Sequence, residues 1–239
     1  MIKNSVILVV GASSGIGAET AKLLAQRGAH VSAAARRIDR LRRLRADFAD
    51  QGLEIAICEC DAAQPVQVDS AIQELIHRYG RLDVLVFAAG TNLPTRTLSE
   101  LSTDNWQRLI DTNLTAAFHC TQAAVARMRT QHSGLIIYLS TGAVQSPDLS
   151  GVAYQASKHG LTGLAQATRQ EEKQHGIRTT LIFPGLCDTE ILKQRPVPTP
   201  PETLQQALRP SDVAEAVAFV CDLDSRCHVP ELQIFPAGL

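Results

Sequence analysis

A tyrosine and a lysine, Tyr154 and Lys158, give the clearest chemical signal in the sequence. They open a stretch with helical periodicity, and residues four positions apart share one face of a helix, so the phenol and the ammonium point the same way. A free phenol has a pKa of about 10, too high for an efficient acid or base near neutrality. Because a neighbouring cation favours the phenolate, we expect Lys158 to lower the pKa of Tyr154 and the pair to transfer protons. The alternative is an exposed tyrosine–lysine pair on a surface helix with no catalytic role, because that spacing alone is common.

A glycine-rich turn follows the first apolar run of the chain, residues 6–10. Glycine lets a backbone turn sharply and approach a pyrophosphate, and the N-terminus of the next helix offers N–H groups and partial positive charge. We expect the turn to bind the pyrophosphate of a dinucleotide; the alternative is a turn that binds nothing. Its residues are Gly11, Ser13, Ser14, Gly15, Ile16 and Gly17.

The end of the second apolar run indicates which dinucleotide is bound. Ala35 is followed directly by Arg36 and Arg37, where an NAD site carries a carboxylate for the ribose hydroxyls. A guanidinium at this point binds a 2′-phosphate by charge-assisted hydrogen bonds. The sequence therefore predicts NADP(H) as cofactor, with Arg36 as the main phosphate ligand and Arg37 as a second ligand or a solvated residue.

Short apolar runs alternate with helical segments along the whole chain. Predicted strands cover residues 6–10, 30–35, 54–59, 82–88, 134–140, 177–183 and 231–235, and predicted helices lie near 15–27, 38–50, 65–79, 102–131, 153–175 and 211–222. This order predicts an α/β fold: one doubly wound, Rossmann-type domain over residues 1–239, with a mainly parallel seven-stranded sheet and helices on both faces. Ligands of such sheets bind beyond the carboxyl ends of the strands, where each motif above falls.

The segment of about 188–210 interrupts the periodicity and is predicted to be a substrate-site lid. It contains a proline-rich loop over residues 196–201, and loops of this kind often cover active sites. Substrate specificity is expected from residues 143–149 and 190–207. Within the lid, Lys193 and Arg195 could bind an anionic substrate group, although such residues are also commonly solvated.

Composition narrows the function classes. A formal net charge of −1 over 239 residues leaves no basic surplus for nucleic acid. The apolar run at residues 6–10 is too short for a membrane span or a signal-peptide core, so we expect a cytoplasmic protein without a membrane partner. Six scattered cysteines lack metal-ligand spacing and are expected to be reduced, with no metal site.

Taken together, the motifs resemble those of the short-chain dehydrogenase/reductase family over nearly the full length of the chain. The matching positions are Gly11, Gly15, Gly17, Asp61, Asp83, Ala89, Gly90, Asn113, Tyr154, Lys158, Pro184, Gly185 and Thr189. The resemblance implies an NADP-dependent oxidoreductase acting on CH–OH or C=O groups of a small molecule. It also implies a homodimer or homotetramer packed through the helices at 102–131 and 153–175, although core packing within one subunit also explains their apolar residues.

The resemblance implies a role for each matching side chain. Tyr154 would be the acid/base, Lys158 would bind the nicotinamide ribose, and Asn113 would bind a water that relays protons to Lys158. The remaining cofactor contacts would be Asp61 and Ala62 near the adenine, Ala89 and Gly90 after the fourth strand, and Pro184, Gly185 and Thr189 after the sixth.

Two positions depart from the family pattern. Thr141 stands thirteen residues before Tyr154, where a serine is usual, and Ser140 precedes it. Alternation along a strand makes these two hydroxyls point oppositely, so spacing favours Thr141 as the group that binds the substrate oxygen, with Ser140 as the alternative. Phe87 and Ala88 replace the family's two asparagines. These departures motivate a second hypothesis, a regulator that binds NADP(H) without turnover. A third hypothesis is an epimerase or dehydratase that uses transient oxidation by the same tyrosine.

Overall fold

The computed structural model describes residues 2–146, 148 and 150–239, so Pro147 and Leu149 of the predicted specificity segment lie outside the described residues. The strands are β1 Val6–Val10, β2 His30–Ala35, β3 Ala56–Glu59, β4 Val84–Phe87, β5 Gly134–Leu139, β6 Ile177–Pro184 and β7 Glu231–Ile234. The α-helices are α1 Gly15–Gln26, α2 Ile38–Ala49, α3 Pro65–Tyr79, α4 Thr103–Ile110, α5 Ala116–Gln131, α6 Val152–Glu172, α7 Pro201–Gln206 and α8 Pro210–Asp222.

The strands form one parallel sheet in the order β3-β2-β1-β4-β5-β6-β7. This arrangement confirms the predicted doubly wound fold. The strand order reverses at β1, which pairs with β2 on one side and β4 on the other. A crevice opens at that point beyond the carboxyl ends of the strands, and the sequence motifs converge there.

Both faces of the sheet are covered, which explains why the strand sequences are apolar throughout. Ile7 and Val9 of β1 face a core shared with α1, α2 and α8, whereas Val6, Leu8 and Val10 face a core shared with α3, α5 and α6. A strand that is buried on both faces reads as a continuous apolar run, as β1 does.

Two elements differ from the predicted ones. The helix predicted over 102–131 contains a π-helical turn at Asp111–Thr115, which separates α4 from α5. Part of the predicted lid is helical, because α7 begins at Pro201, the last residue of the proline-rich stretch. Proline is well tolerated in the first turn of a helix, where its missing N–H has no intrahelical partner. Within the described residues, no helix is long and apolar enough to cross a membrane.

The apolar residues of the predicted subunit interface lie mostly in the core of the chain itself. Leu109, Ala124, Leu161 and Ala165 are at most 2% exposed. Phe118 differs from them, because 46% of its surface is exposed on α5. The buried residues therefore cannot contact a second subunit, and their apolar character is explained by packing within one chain.

Asp83 fastens the beginning of β4 to the beginning of β1. Its Oδ2 accepts a hydrogen bond from the Val6 N–H at 2.8 Å, and its Oδ1 accepts one from Arg81 Nε at 2.8 Å. The Asp83 N–H in turn donates to the Val6 carbonyl at 2.9 Å. The carboxylate thus sets the register of the two central strands.

We expect Asp83→Ala to lower the free energy of unfolding by about 1–3 kcal/mol, because it leaves the Val6 N–H without its acceptor. Asp83→Asn keeps one acceptor oxygen and should cost less. Asp69→Ala, on an exposed position of α3, is the matched control and should change stability by less than about 0.5 kcal/mol. Urea denaturation measures all three. Equal stability of the Ala variants would contradict this role of Asp83.

Candidate active site

The turn between β1 and α1 packs so tightly that two of its glycines have no room for a side chain. A Cβ on Gly11 would lie 2.5 Å from the Ala89 backbone nitrogen, and a Cβ on Gly17 would lie 2.4 Å from the Gly11 carbonyl oxygen. Gly11 also has φ of +87°, a conformation that favours glycine. The first turn of α1 is thereby drawn close to the end of β4, with its backbone N–H groups open to the crevice.

Arg36 and Arg37 directly follow β2, and their side chains make different contacts. Arg36 is exposed and lines the crevice. Arg37 turns back to the glycine-rich turn and donates hydrogen bonds to the hydroxyls of Ser13 and Ser14, each at 2.8 Å. Arg37 therefore holds the turn. The side chain of Arg36, by contrast, has no hydrogen bond or ion pair in the described part of the chain.

The lid segment contacts the arginines after β2 through Glu190. The Glu190 carboxylate pairs with Arg40 at 2.6 Å and with Arg37 at 3.5 Å. These two guanidinium groups hold the pKa of Glu190 below its usual value, the hydrogen bond from Arg40 being the largest cause. All three side chains are about half exposed, so the pairs contribute little stability but fix where the lid segment begins.

The end of β4 explains how the chain tolerates the loss of two asparagines. Phe87 is fully buried in the sheet, and the Ala88 N–H donates to the Val10 carbonyl at 2.8 Å. Apolar packing and backbone hydrogen bonds therefore hold this strand end without side-chain amides. A Cβ on Gly90 would lie 3.3 Å from Lys158 Nζ, so the backbone here passes close to the catalytic lysine candidate.

Asn113 lies in the π-helical turn and is fully buried. Its Oδ1 accepts from the Thr91 N–H at 2.8 Å, and its Nδ2 donates to the Thr91 carbonyl at 3.0 Å and to Ser157 Oγ at 3.1 Å. The amide thus clamps the strand end after β4 to the helix that carries Tyr154. Both N–H groups of the amide are used by protein partners, which leaves the second lone pair of Oδ1 or the backbone carbonyl to hold a relaying water.

Lys158 is a buried cation. Its side chain is 4% exposed, and Nζ donates to the Leu139 carbonyl at 2.9 Å. Burial lowers the pKa of Lys158 from 10.5 to about 8. Nζ also lies 5.9 Å from the centre of the Tyr154 ring, which places ammonium and phenol on one side of α6 as the spacing predicts.

The Thr141 hydroxyl lies close enough to the Tyr154 phenol to lower its pKa. Thr141 Oγ1 accepts from the Ala143 N–H at 3.3 Å, which orients the hydroxyl at the end of β5. Ser140 also lines the crevice, but its buried hydroxyl has no hydrogen-bond partner in the described part of the chain. The predicted lowering of the Tyr154 pKa is not seen: burial raises this pKa to about 12, and Lys158 is not among the groups that lower it.

The remaining candidate residues also line the crevice. Asp61 Oδ1 accepts from the Ala63 N–H at 3.1 Å and so shapes the turn after β3. The Thr189 methyl lies 3.4 Å from where a Gly15 Cβ would stand, at the mouth of the glycine-rich turn. Further lining residues from the predicted set are Ala62, Ala89, Gly90, Pro184 and Gly185. Sequence patterns and structure therefore bring the whole candidate set to one edge of the sheet.

The crevice is a single cavity of about 1750 Å³, large enough for a dinucleotide and a small substrate together. Lid residues 189–197 line it, and so do Ala143, Ser146 and Asp148 of the other segment from which specificity is predicted. Sequence reasoning missed Arg96, a buried arginine that lines the cavity from the segment after β4. It lies outside the family motif, and the signal that could have found it is an arginine within an otherwise uncharged stretch after a strand end.

The fold and the edge just described define a Rossmann-type dehydrogenase domain. The sequence matches the family model described as short chain dehydrogenase over residues 5–198. The chain belongs to the short-chain dehydrogenase/reductase family and is an oxidoreductase of that family.

Relatives span the whole chain. An uncharacterized oxidoreductase of Listeria monocytogenes is 32% identical over 99% of this chain and 98% of the relative. A metagenomic short-chain oxidoreductase solved in complex with NADP is 30% identical with a TM-score of 0.85, covering 99% of this chain and 98% of its own. An alcohol dehydrogenase from the archaeon Thermococcus sibiricus, complexed with 5-hydroxy-NADP, is 26% identical with a TM-score of 0.88 and the same coverage.

The depressed pKa of Lys158 predicts a pH-dependent stability. Below pH 8 the lysine is charged in both states, and the folded state bears the cost of burying it. Between about pH 8 and 10.5 the folded lysine is neutral while the unfolded one still binds a proton, so the stability of the protein rises with pH.

We expect the unfolding free energy of the native protein, relative to Lys158→Met, to grow by about 3 kcal/mol between pH 7 and pH 10.5. Other titrating groups are common to both proteins and cancel in the difference, as does the lost hydrogen bond to Leu139. Urea denaturation at several pH values measures it. Parallel stability curves would show that Lys158 titrates normally.

Proposed function

We propose that this chain is an NADP(H)-dependent oxidoreductase that transfers a hydride between the nicotinamide and a carbonyl or alcohol group of a small molecule. The observation that carries the proposal is the cluster of Thr141, Tyr154 and Lys158 on the floor of a cavity whose other end is the glycine-rich turn. The NADP complexes of the metagenomic relative and of the archaeal alcohol dehydrogenase support the choice of cofactor.

The residues present fit such a cofactor. Gly11 and Gly17 leave a cradle that a Cβ would fill, with the N-terminus of α1 beside it to bind a pyrophosphate. Arg36 is free to bind the 2′-phosphate, and Asp61 and Ala62 would border the adenine. Lys158 would bind the ribose hydroxyls, and Thr189 the carboxamide or pyrophosphate. When bound, the cofactor supplies or accepts the hydride.

Side chains of the protein would supply the proton that accompanies hydride transfer. In reduction, Tyr154 would donate its phenolic proton to the substrate oxygen while the Thr141 hydroxyl donates a hydrogen bond to the same oxygen. Lys158, which stays close to the ring, would favour the phenolate that results. Burial raises the pKa of Tyr154 to about 12, so the phenol carries its proton at neutral pH and can act as the donor in reduction.

The proposal includes a cytoplasmic location and a homo-oligomer. The six cysteines are free, which fits the reducing conditions of the cytoplasm. A homodimer or homotetramer through α4–α5 and α6 would use Phe118, which is exposed, rather than the buried residues of these helices.

We expect Tyr154→Phe to lower kcat/KM for carbonyl reduction by a factor of about 100 or more without weakening NADPH binding, because only the proton donor is lost. Thr141→Val should lower it by about 10- to 100-fold, and Thr141→Ser should restore most of the loss. Ser140→Ala is the matched control. Loss of NADPH absorbance with a panel of ketones and 3-oxoacyl thioesters measures each rate.

Other outcomes favour the competing functions. Tight NADPH binding with no consumption across the panel would support a cofactor-binding regulator. Product formation without net change in the cofactor would support an epimerase or dehydratase. A loss of activity in Ser140→Ala with an active Thr141→Val would assign the substrate oxygen to Ser140 instead.

Arg36 and Arg37 should separate in a cofactor-binding experiment. We expect Arg36→Ala to raise the Kd for NADPH by about 10- to 100-fold and leave the Kd for NADH nearly unchanged, because only NADPH carries the 2′-phosphate. Arg37→Ala should weaken both cofactors, since Arg37 braces the turn that both would use. Fluorescence titration gives the dissociation constants. Equal effects of Arg36→Ala on both cofactors would exclude the phosphate role.

A further inference from the structure

Arg96 is the least expected charge in the cavity. The residue is 6% exposed, and its Nε is buried with no hydrogen-bond partner in the described part of the chain. One terminal nitrogen donates to the Gln194 carbonyl of the lid. Among the described residues no carboxylate lies within ion-pair distance of this guanidinium. A buried guanidinium without an anion is costly, so its retention needs a reason.

The backbone holds Arg96 against the helix that carries Tyr154. A Cβ on Gly151 would lie 2.7 Å from the Arg96 Cβ, and Gly151, with φ of +95°, directly precedes α6. Arg96 therefore contacts the backbone at Gly151, three residues before Tyr154. Arg96 and Tyr154 line the same cavity and interact electrostatically.

A second guanidinium is brought to the same place by the lid. Arg195 follows Gln194, whose carbonyl accepts from Arg96, and Arg195 also lines the cavity. Its own hydrogen bond goes to the neutral hydroxyl of Thr199 at 3.0 Å. Burial, and next the charge of Arg195, lower the pKa of Arg96, which reflects how near the two cations are.

One acid is close to this pair. Asp148 interacts electrostatically with both Arg96 and Tyr154, while its Oδ1 accepts from the Ser150 N–H at 2.9 Å. Apart from Lys158, which is bound to the Leu139 carbonyl, two guanidinium groups and one carboxylate leave one uncompensated positive charge in this part of the cavity. That balance suits a ligand with a single negative charge, and a planar carboxylate also matches the fork of donors that a guanidinium presents.

We propose that Arg96 and Arg195 form a subsite for a carboxylate of the substrate, so that the enzyme acts on oxo acids and the corresponding hydroxy acids. The inference rests on the proposed function for the reacting carbonyl, which Thr141 and Tyr154 would bind. The carboxylate neutralises the buried charge of Arg96 and orients the carbonyl toward the tyrosine. A neutral ketone of the same shape leaves that charge uncompensated and binds less well.

The test compares acids with their methyl esters. Short 2-oxo, 3-oxo and 4-oxo carboxylates and their methyl esters are assayed with NADPH, since the pairs differ in charge at one end and share the carbonyl. We expect kcat/KM for the best acid to exceed that for its ester by about 10-fold or more. Equal values across all three pairs would overturn the proposal.

Variants then locate the effect. Arg96→Met and Arg195→Met should each lower kcat/KM for the acid by about 10- to 100-fold and change the ester less than threefold. Arg96→Lys keeps the charge without the fork and should be intermediate. Arg43→Met, which removes an exposed arginine of α2, is the matched control. A parallel loss for acid and ester would assign Arg96 a role in lid structure only, and Arg195→Met tests the subsite even if Arg96→Met folds poorly.

Binding separates this proposal from the proposed function. Calorimetry follows the titration of the corresponding hydroxy acid, or its methyl ester, into the protein with NADP⁺. If no carbonyl compound is reduced but the acid binds and Arg96→Met abolishes binding, the reaction is wrong and the subsite stands. If neutral ketones are reduced and the acid neither binds nor reacts better than its ester, the subsite alone fails.

Discussion

The contact between the turn after β1 and the end of β4 is the constraint on which the whole site depends. Gly11 approaches the Ala89 backbone so closely that a Cβ would lie 2.5 Å from its nitrogen, and the next residue, Gly90, passes beside Lys158 Nζ. Thr91 then exchanges two hydrogen bonds with the Asn113 amide. A continuous series of backbone contacts thus joins the phosphate end of the crevice to its proton-transfer end, which keeps the distance between them fixed.

The backbone contacts that join the two ends of the crevice surround two buried positive charges. Lys158 and Arg96 are both less than 10% exposed, and in the part of the chain that is described neither has an ion pair. Each destabilises the folded state, since burial lowers the pKa of both side chains. Unfavourable charges that a well-packed core nevertheless holds in place are typical of functional sites, where stability is given up for ligand binding.

The sequence could predict whatever depends on local pattern. The boundaries of β1 and β2 are as expected, because a doubly covered strand must be apolar along its whole length. Alternation along β5 predicts that Thr141 and Ser140 point oppositely, and the assignment of the substrate oxygen to Thr141 stays a prediction. The π-helical turn around Asn113 could not be predicted, since it adapts the helix to a partner 22 residues away. Arg96 was missed for the same reason: its burial follows from contacts with the lid and α6, which no spacing rule encodes.

The lid segment connects both ends of the crevice through its short helical turn, Glu190–Gln194. Its first residue, Glu190, is paired with Arg40 and Arg37, and Arg37 also holds the serines of the glycine-rich turn. The carbonyl of its last residue, Gln194, is bound by Arg96. Arginines therefore hold both ends of this five-residue turn: Arg37 and Arg40 bind its first residue, and Arg96, beside Tyr154, binds its last. This short turn therefore spans the distance from the glycine-rich turn to the guanidinium beside Tyr154, so one element of the lid borders both ends of the crevice.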